Sequence, residues 1–290
     1  MKPFITFNLN KTVMVLVCLL IFSSCDESIE ELQPIAYGIQ KNAKSGQAKW
    51  DITPYHFERI NTANFYSQGW QEQQVNIVSG QPTIFADESE HISIVCGPEN
   101  TSDPRLIQGC ISMNLPTSDD PSLRRIRLRR AGYSGTLLSD LTELKYSTYV
   151  VHNAPTIMVL QIDVNGDEEK DFNIFFSPTP RWQGNGFPPV VLSTWQQWDA
   201  LQGKWHFEAV TISGLPEEST IAELVALHPT ARIIDTTPEG HNGEGVRFTI
   251  GGNPRSDYDN TVGYFDALII GTKNEQHSML FDFTCNQSGK

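Results

Sequence analysis

Asp163, Asn165, Asp167 and Asp171 stand at relative positions 1, 3, 5 and 9 of one acidic inset. Oxygens at that alternating spacing can converge on one hard cation, which points to calcium. Glu168 stands where the tight turn of such a loop needs Gly, and Ile174 stands where a closing Glu would be. The other reading is a solvated hairpin tip kept soluble by its carboxylates, and both stand at this stage. A second group is aromatic. Indole and phenol rings stack on the apolar faces of sugar rings. Trp182 and Asn185 sit in the loop RWQGNGF, and Asp257, Tyr258 and Asp259 sit in the loop GGNPRSDYDN; these five are the candidate ligand-binding residues. Trp195 and Trp198 have opposite parity on a strand, so one of them packs inward. Trp205 and Phe207 share parity and belong to the core.

Motifs for catalysis are missing from the sequence. The seven His residues form no His-Glu-x-x-His pair, Gly132-Tyr133-Ser134-Gly135 is not a nucleophile elbow, and no strand carries same-face acids at glycosidase spacing. Cysteine chemistry is better represented. Cys96 and Cys110 flank the polar loop GPENTSDPRLIQG between two strand-like runs. A disulfide between them would close a loop of about 15 residues and contribute about 3 kcal/mol. Cys285 would then be unpaired, and other pairings stay open.

The elements that must position these groups read as short strands. Leu137 to Phe176 carries three apolar runs separated by turn formers, which read as central strands of one antiparallel sheet with one face in the core. Lys145–Val151 is rich in Tyr, Thr and Val, which favour a pleated surface. Pro155 interrupts the chain, and Thr156–Ile162 is too short for a typical helix. Asn165-Gly166 before Phe172–Phe176 predicts a hairpin, because both residues tolerate positive φ. In Ser122–Arg130 the alternation puts Arg125, Arg127 and Arg129 on one face, either a solvated face or an anion-binding row. One helix is predicted, about Ile221–His228, with the capping box Thr220-x-x-Glu223 and Pro229 as its stop. Repeated short strands with Gly, Pro and Asn turns predict an all-β, two-sheet antiparallel sandwich in one domain, residues 50–290.

Residues 1–24 place Lys2 and Lys11 before an apolar run too short to span a bilayer comfortably. The run ends Leu20-Ile21-Phe22-Ser23-Ser24-Cys25, which resembles the lipobox of bacterial lipoproteins. The resemblance implies a signal peptide over 1–24, lipidation of Cys25 and a membrane-held chain. DESIEE after the Cys resembles the acidic signals of outer-membrane, surface-exposed lipoproteins, and residues 25–49 read as a polar tether. The net charge is −13 and the isoelectric point is about 4.9, which argues against nucleic acid as a partner.

From about Gly132 to Thr284 the pieces TLLSDLTELKYSTYV, IDVNGDEEKDFNI, TWQQWDALQGKW, STIAELVALHPTARI and GYFDALIIG resemble β-sandwich domains of secreted bacterial surface proteins. The resemblance implies a jelly roll similar to concanavalin-like lectins and carbohydrate-binding modules. It also gives Asp266 a position that can help to hold a structural calcium. The function expected is a non-catalytic, surface-anchored carbohydrate-binding or adhesin-like lipoprotein. The alternatives are a jelly-roll glycoside hydrolase or polysaccharide lyase, and a structural accessory subunit of a surface complex.

Overall fold

The computed structural model describes residues 56–285 except 62, 66, 76–81, 85–91, 99–108, 116–124, 153–154, 180–182, 184–186, 208–213, 236–244, 252–260 and 276–277. The chain divides into two units, Met1–Gly46 and Gln47–Lys290, and every described residue lies in the second. The signal, Cys25 and the tether lie outside the described residues. Among the described residues no helix is long and apolar enough to cross a membrane.

Sixteen strands and one α-helix follow one another among the described residues. The first six are β1 (His56–Ile60), β2 (Trp70–Val75), β3 (Pro82–Ile84), β4 (Ile92–Val95), β5 (Cys110–Leu115) and β6 (Arg125–Arg130). A single 3-10 turn, Leu138–Asp140, leads into β7 (Leu141–Val150). Then come β8 (Ile157–Asp163), β9 (Phe172–Phe176), β10 (Trp195–Asp199), β11 (Lys204–Phe207) and β12 (Glu218–Thr220). Helix α1 (Ile221–Leu227) starts at the predicted cap: Thr220 accepts from the Glu223 backbone N–H while the Glu223 carboxylate accepts from Thr220 N–H. The last strands are β13 (Arg232–Ile233), β14 (Val246–Gly251), β15 (Thr261–Thr272) and β16 (Met279–Phe283).

The strands form two sheets, and the fold is all-β, as expected. One sheet has nine strands, ordered β12-β11-β9-β8-β14-β6-β2-β3, with β13 extending the β14 side of β8. The other has seven. There β10 pairs with β7 and β7 with β15. The far edge of β15 is shared: its first half pairs with β5 and its second half with β16. The fork falls at Asp266 and Ala267, where the β7 ladder slips register and Ala267 takes φ 49°. Beyond β5 lies β4, and beyond β16 lies β1, in parallel.

The core fills the space between the sheets. Trp70, from the nine-stranded sheet, meets Phe265, Phe281 and Phe283 of the seven-stranded one. Tyr146 reaches the other way, to Phe176 and Phe248. The hairpin read from Asn165-Gly166 is present as β8 and β9. Two expectations change. β7 does not pair with β8; the chain crosses from one sheet to the other after Val150. The chain changes sheets again between β10 and β11, across residues 200–203. Of the Arg row, Arg129 is 1% exposed rather than solvated, and Arg247 of β14, its ladder partner, is 2% exposed.

Candidate functional site: an aromatic row on the outer face

In β7 the residues Leu144, Tyr146, Thr148 and Val150 face the other sheet, so Ser147 and Tyr149 face outward. The same parity turns Trp195 of β10, Tyr264 of β15, Ser112 of β5 and Ser93 of β4 to that side. Their registers coincide: Trp195 opposes Tyr149, Tyr149 opposes Tyr264, Tyr264 opposes Ser112, and Ser112 opposes Ser93. Three aromatic rings followed by two hydroxyls therefore cross the sheet in one line. Ring centroids are 5.7 Å apart for Tyr149–Trp195 and 6.0 Å for Tyr149–Tyr264. All three rings are half-buried, and Ser93 is exposed. Burial raises the Tyr264 phenol above its ordinary range, while a Ser112 hydrogen bond opposes the shift. Beside the row, Val151, Val191 and Leu192 are exposed, and Ser193 N–H donates to Val150 O to hold them there.

One row further along the strands, the same face carries Gln197, Ser147 and Asp266 in register, with Cys110 next on β5. Ser147, Asp266 and Cys110 are buried, at 1%, 0% and 0% exposure. Asp266 Oδ1 accepts from Ala267 N–H and so stabilises the fork. Above this row passes a short strap, Cys96-Gly97-Pro98. Trp195 Nε1 donates to Pro98 O at 3.3 Å, which fixes the indole against the strap. The strap is tied down by a disulfide from Cys96 to Cys285, just beyond β16. This corrects the Cys96–Cys110 pairing; Cys110 is a free, buried thiol. The β4–β5 ladder sets Cys110 opposite Val95, not Cys96, and the end of β16 arrives beside Gly109. Burial, with Asp266 nearby, pushes the Cys110 thiol far above its ordinary range.

Asp282 lies on this outer face too, 5% exposed and paired in register with Arg59. Burial pushes its carboxyl from 3.8 up to about 6, with Arg59 pulling it down. The folded chain holds that proton more tightly than the unfolded one. The group's contribution is thus present below about pH 4 and lost as pH rises through about 6. Asp282→Asn should raise stability at pH 7 by about 2 kcal/mol and change little at pH 4, measured by urea unfolding at both pH values.

The acidic turn between β8 and β9 is held by its own side chains. Asp163, fully buried, accepts from Gly166 N–H at 2.6 Å and Glu168 N–H at 2.9 Å, and Arg232 Nε lies 3.8 Å from its Oδ2. Asp167 accepts from Glu169 N–H and from the Asn165 amide, and Asp171 accepts from Val164 N–H. Among the described residues no group of three or more His, Cys, Asp or Glu is placed to hold a metal ion. Gly166 takes φ 86°, which favours glycine, and a Cβ there would push aside only the end of the Arg232 side chain. Glu168 does take a glycine-like backbone, with φ 68°. Glu168→Gly should therefore stabilise the fold by about 0.5–1 kcal/mol, seen as a higher urea midpoint at unchanged slope.

Trp182, Asn185, Asp257, Tyr258 and Asp259 lie outside the described residues. Gln183, which follows Trp182 in the chain, is buried; its amide donates to Ser177 O and Lys204 O and accepts from Lys204 N–H. Of the Trp pair, Trp198 is the inward one, fully buried and donating to Thr148 Oγ1 at 2.8 Å. Trp205 and Phe207 are core, as expected, and Phe187 stacks on Trp198. Sequence reasoning missed Tyr149 and Tyr264. Their parity was readable, since each stands an odd number of residues from a core neighbour, but the register joining them to Trp195 links strands far apart in the chain. Compared with protein families, with curated proteins and with solved structures, this chain, whose outer face carries an aromatic row beside a disulfide-held strap, has no match.

Proposed function

We propose that the chain is a surface-anchored lipoprotein whose β-sandwich binds carbohydrate without turning it over, in an adhesin-like role. The observation that carries the reading is the Trp195–Tyr149–Tyr264 row. Strands about 4.8 Å apart space three rings over about 10 Å, a span that suits two consecutive pyranose rings, and the rings, inclined by 57° and 76° to one another, form a corrugated rather than a flat platform. Ser112, Ser93 and Gln197 supply hydroxyl and amide partners around the stacking surface. The lipid anchor at Cys25 and the tether over 25–49 would hold the sandwich at the outer membrane. Trp182, Asn185, Asp257, Tyr258 and Asp259 remain proposed as further contacts.

The test is a glycan array probed with Gln47–Lys290, spanning neutral, sulfated and uronic polymers, with and without a calcium chelator. Binding is expected, and Trp195→Ala should weaken it about 10–100-fold, the loss of one well-formed stacking contact. Failure to bind any glycan removes the reading. A chelator-sensitive signal supports calcium at Asp163, Asn165, Asp167 and Asp171, where the ion would have to draw Asp163 away from Arg232 and two N–H donors. A chelator-insensitive signal removes calcium from the reading. Release of new reducing or unsaturated ends would move the protein to the hydrolase or lyase class. A second reading, an accessory subunit docked on this face, is favoured by exposed Val151, Val191 and Leu192.

A further inference from the structure

The three cysteines of Gln47–Lys290 gather at one corner of the seven-stranded sheet. Cys96 and Cys285 are bonded and Cys110 is not. Both chain neighbours of Cys96 adjoin Cys110. Val95 is the ladder partner of Cys110, and a Cβ built on Gly97 would lie 3.0 Å from Cys110 Sγ. The residue before Cys110 adjoins the third cysteine: a Cβ on Gly109 would lie 2.6 Å from Cys285 N. The free thiol thus lies beside the strap that Cys96 anchors, and the chain on either side of it adjoins the backbone of both half-cystines.

We propose that Cys96, Cys110 and Cys285 form a thiol–disulfide exchange centre with Cys110 as the internal nucleophile. Cys110, as its thiolate, attacks Cys96 Sγ. The Cys96–Cys285 bond breaks as the Cys96–Cys110 bond forms. Cys285 leaves as a thiolate and takes up the proton that Cys110 released. No electrons are gained or lost overall, so neither oxidant nor reductant is needed.

The strap gates the exchange. While it is closed, Cys110 is fully buried and its thiol stays protonated, which leaves the bond inert. Opening requires Pro98 to leave the Trp195 indole. The two pairings also suit different stages. Cys96 and Cys110 are about 15 residues apart, whereas Cys96 and Cys285 are separated by 189. In an unfolded chain the short loop closes roughly 50-fold more readily. The long-range pairing prevails once β16 has docked and brought Cys285 to Gly109. Cys110 is then the thiol through which a chain first closed at Cys96–Cys110 reaches its native bond.

The test uses Gln47–Lys290 with its native disulfide, in urea below the unfolding midpoint, with iodoacetamide and no reductant. Peptides are mapped by mass spectrometry under non-reducing conditions. Chains alkylated at Cys285 and linked Cys96–Cys110 are expected, increasing with urea, and absent in Cys110→Ser. Trp195→Phe, which removes the hydrogen bond to the strap, should raise their rate of appearance several-fold. Alkylation confined to Cys110 in the parent chain overturns the proposal. So does Cys285 alkylation that proceeds equally in Cys110→Ser.

Discussion

Replacing both Cys96 and Cys285 with Ser is expected to lower the unfolding free energy by about 4–5 kcal/mol, the largest effect of any change outside the core. The bond joins residues separated by 189 positions, so it removes much more freedom from the unfolded chain than a short loop would. Its place in the fold adds to that. At the fork in β15, β5 and β16 share one edge without hydrogen-bonding to each other along their length. The disulfide joins the end of β4, which lies beyond β5, to the end of β16, and so closes the gap. For a unit of this size the loss corresponds to a fall of about 10 °C in Tm. Urea unfolding, with the reduced parent as a control, measures it; a change under about 1 kcal/mol would mean that the unfolded chain is already held compact by other contacts.

How much could be read in advance divides along local and long-range lines. The cap of α1, the Asn165-Gly166 hairpin and the inward parity of Trp205 and Phe207 depend on residues a few positions apart. Period and turn chemistry are enough for those. The Cys96–Cys285 bond depends on where β16 lands, which no nearby residue encodes, and the short Cys96–Cys110 loop was the nearer alternative. The same limit hid the aromatic row. Tyr149, Trp195 and Tyr264 come from β7, β10 and β15, and only the ladder registers bring them into line. Sheet membership was lost for a related reason. An alternating strand shows that one side is buried but not in which layer, so β7 and β8 read as neighbours although they belong to opposite sheets. The acidic turn shows a different ambiguity: carboxylates spaced for a cation are also spaced to accept from the N–H groups of their own turn.

Trp70→Ala should cost about 3–5 kcal/mol, because this indole is where the two sheets meet. It is fully buried, stacks beside Phe65 and Phe248, and takes the edges of Phe281 and Phe283 and the tilted face of Phe265. No single neighbour could fill the space left, since these rings come from three different strands, each fixed by its own ladder, and from the segment before β2. A Phe in its place tests whether volume or polarity decides. Among the described residues the buried Trp70 Nε1 has no hydrogen-bond partner, so Trp70→Phe loses packing but also removes a desolvated donor. Its cost should be less than half that of Trp70→Ala, by urea unfolding at equal slope. If the two variants lose the same amount, the indole contributes through something other than the volume it fills, and the sheets must be held together mainly by the Tyr146 side of the core.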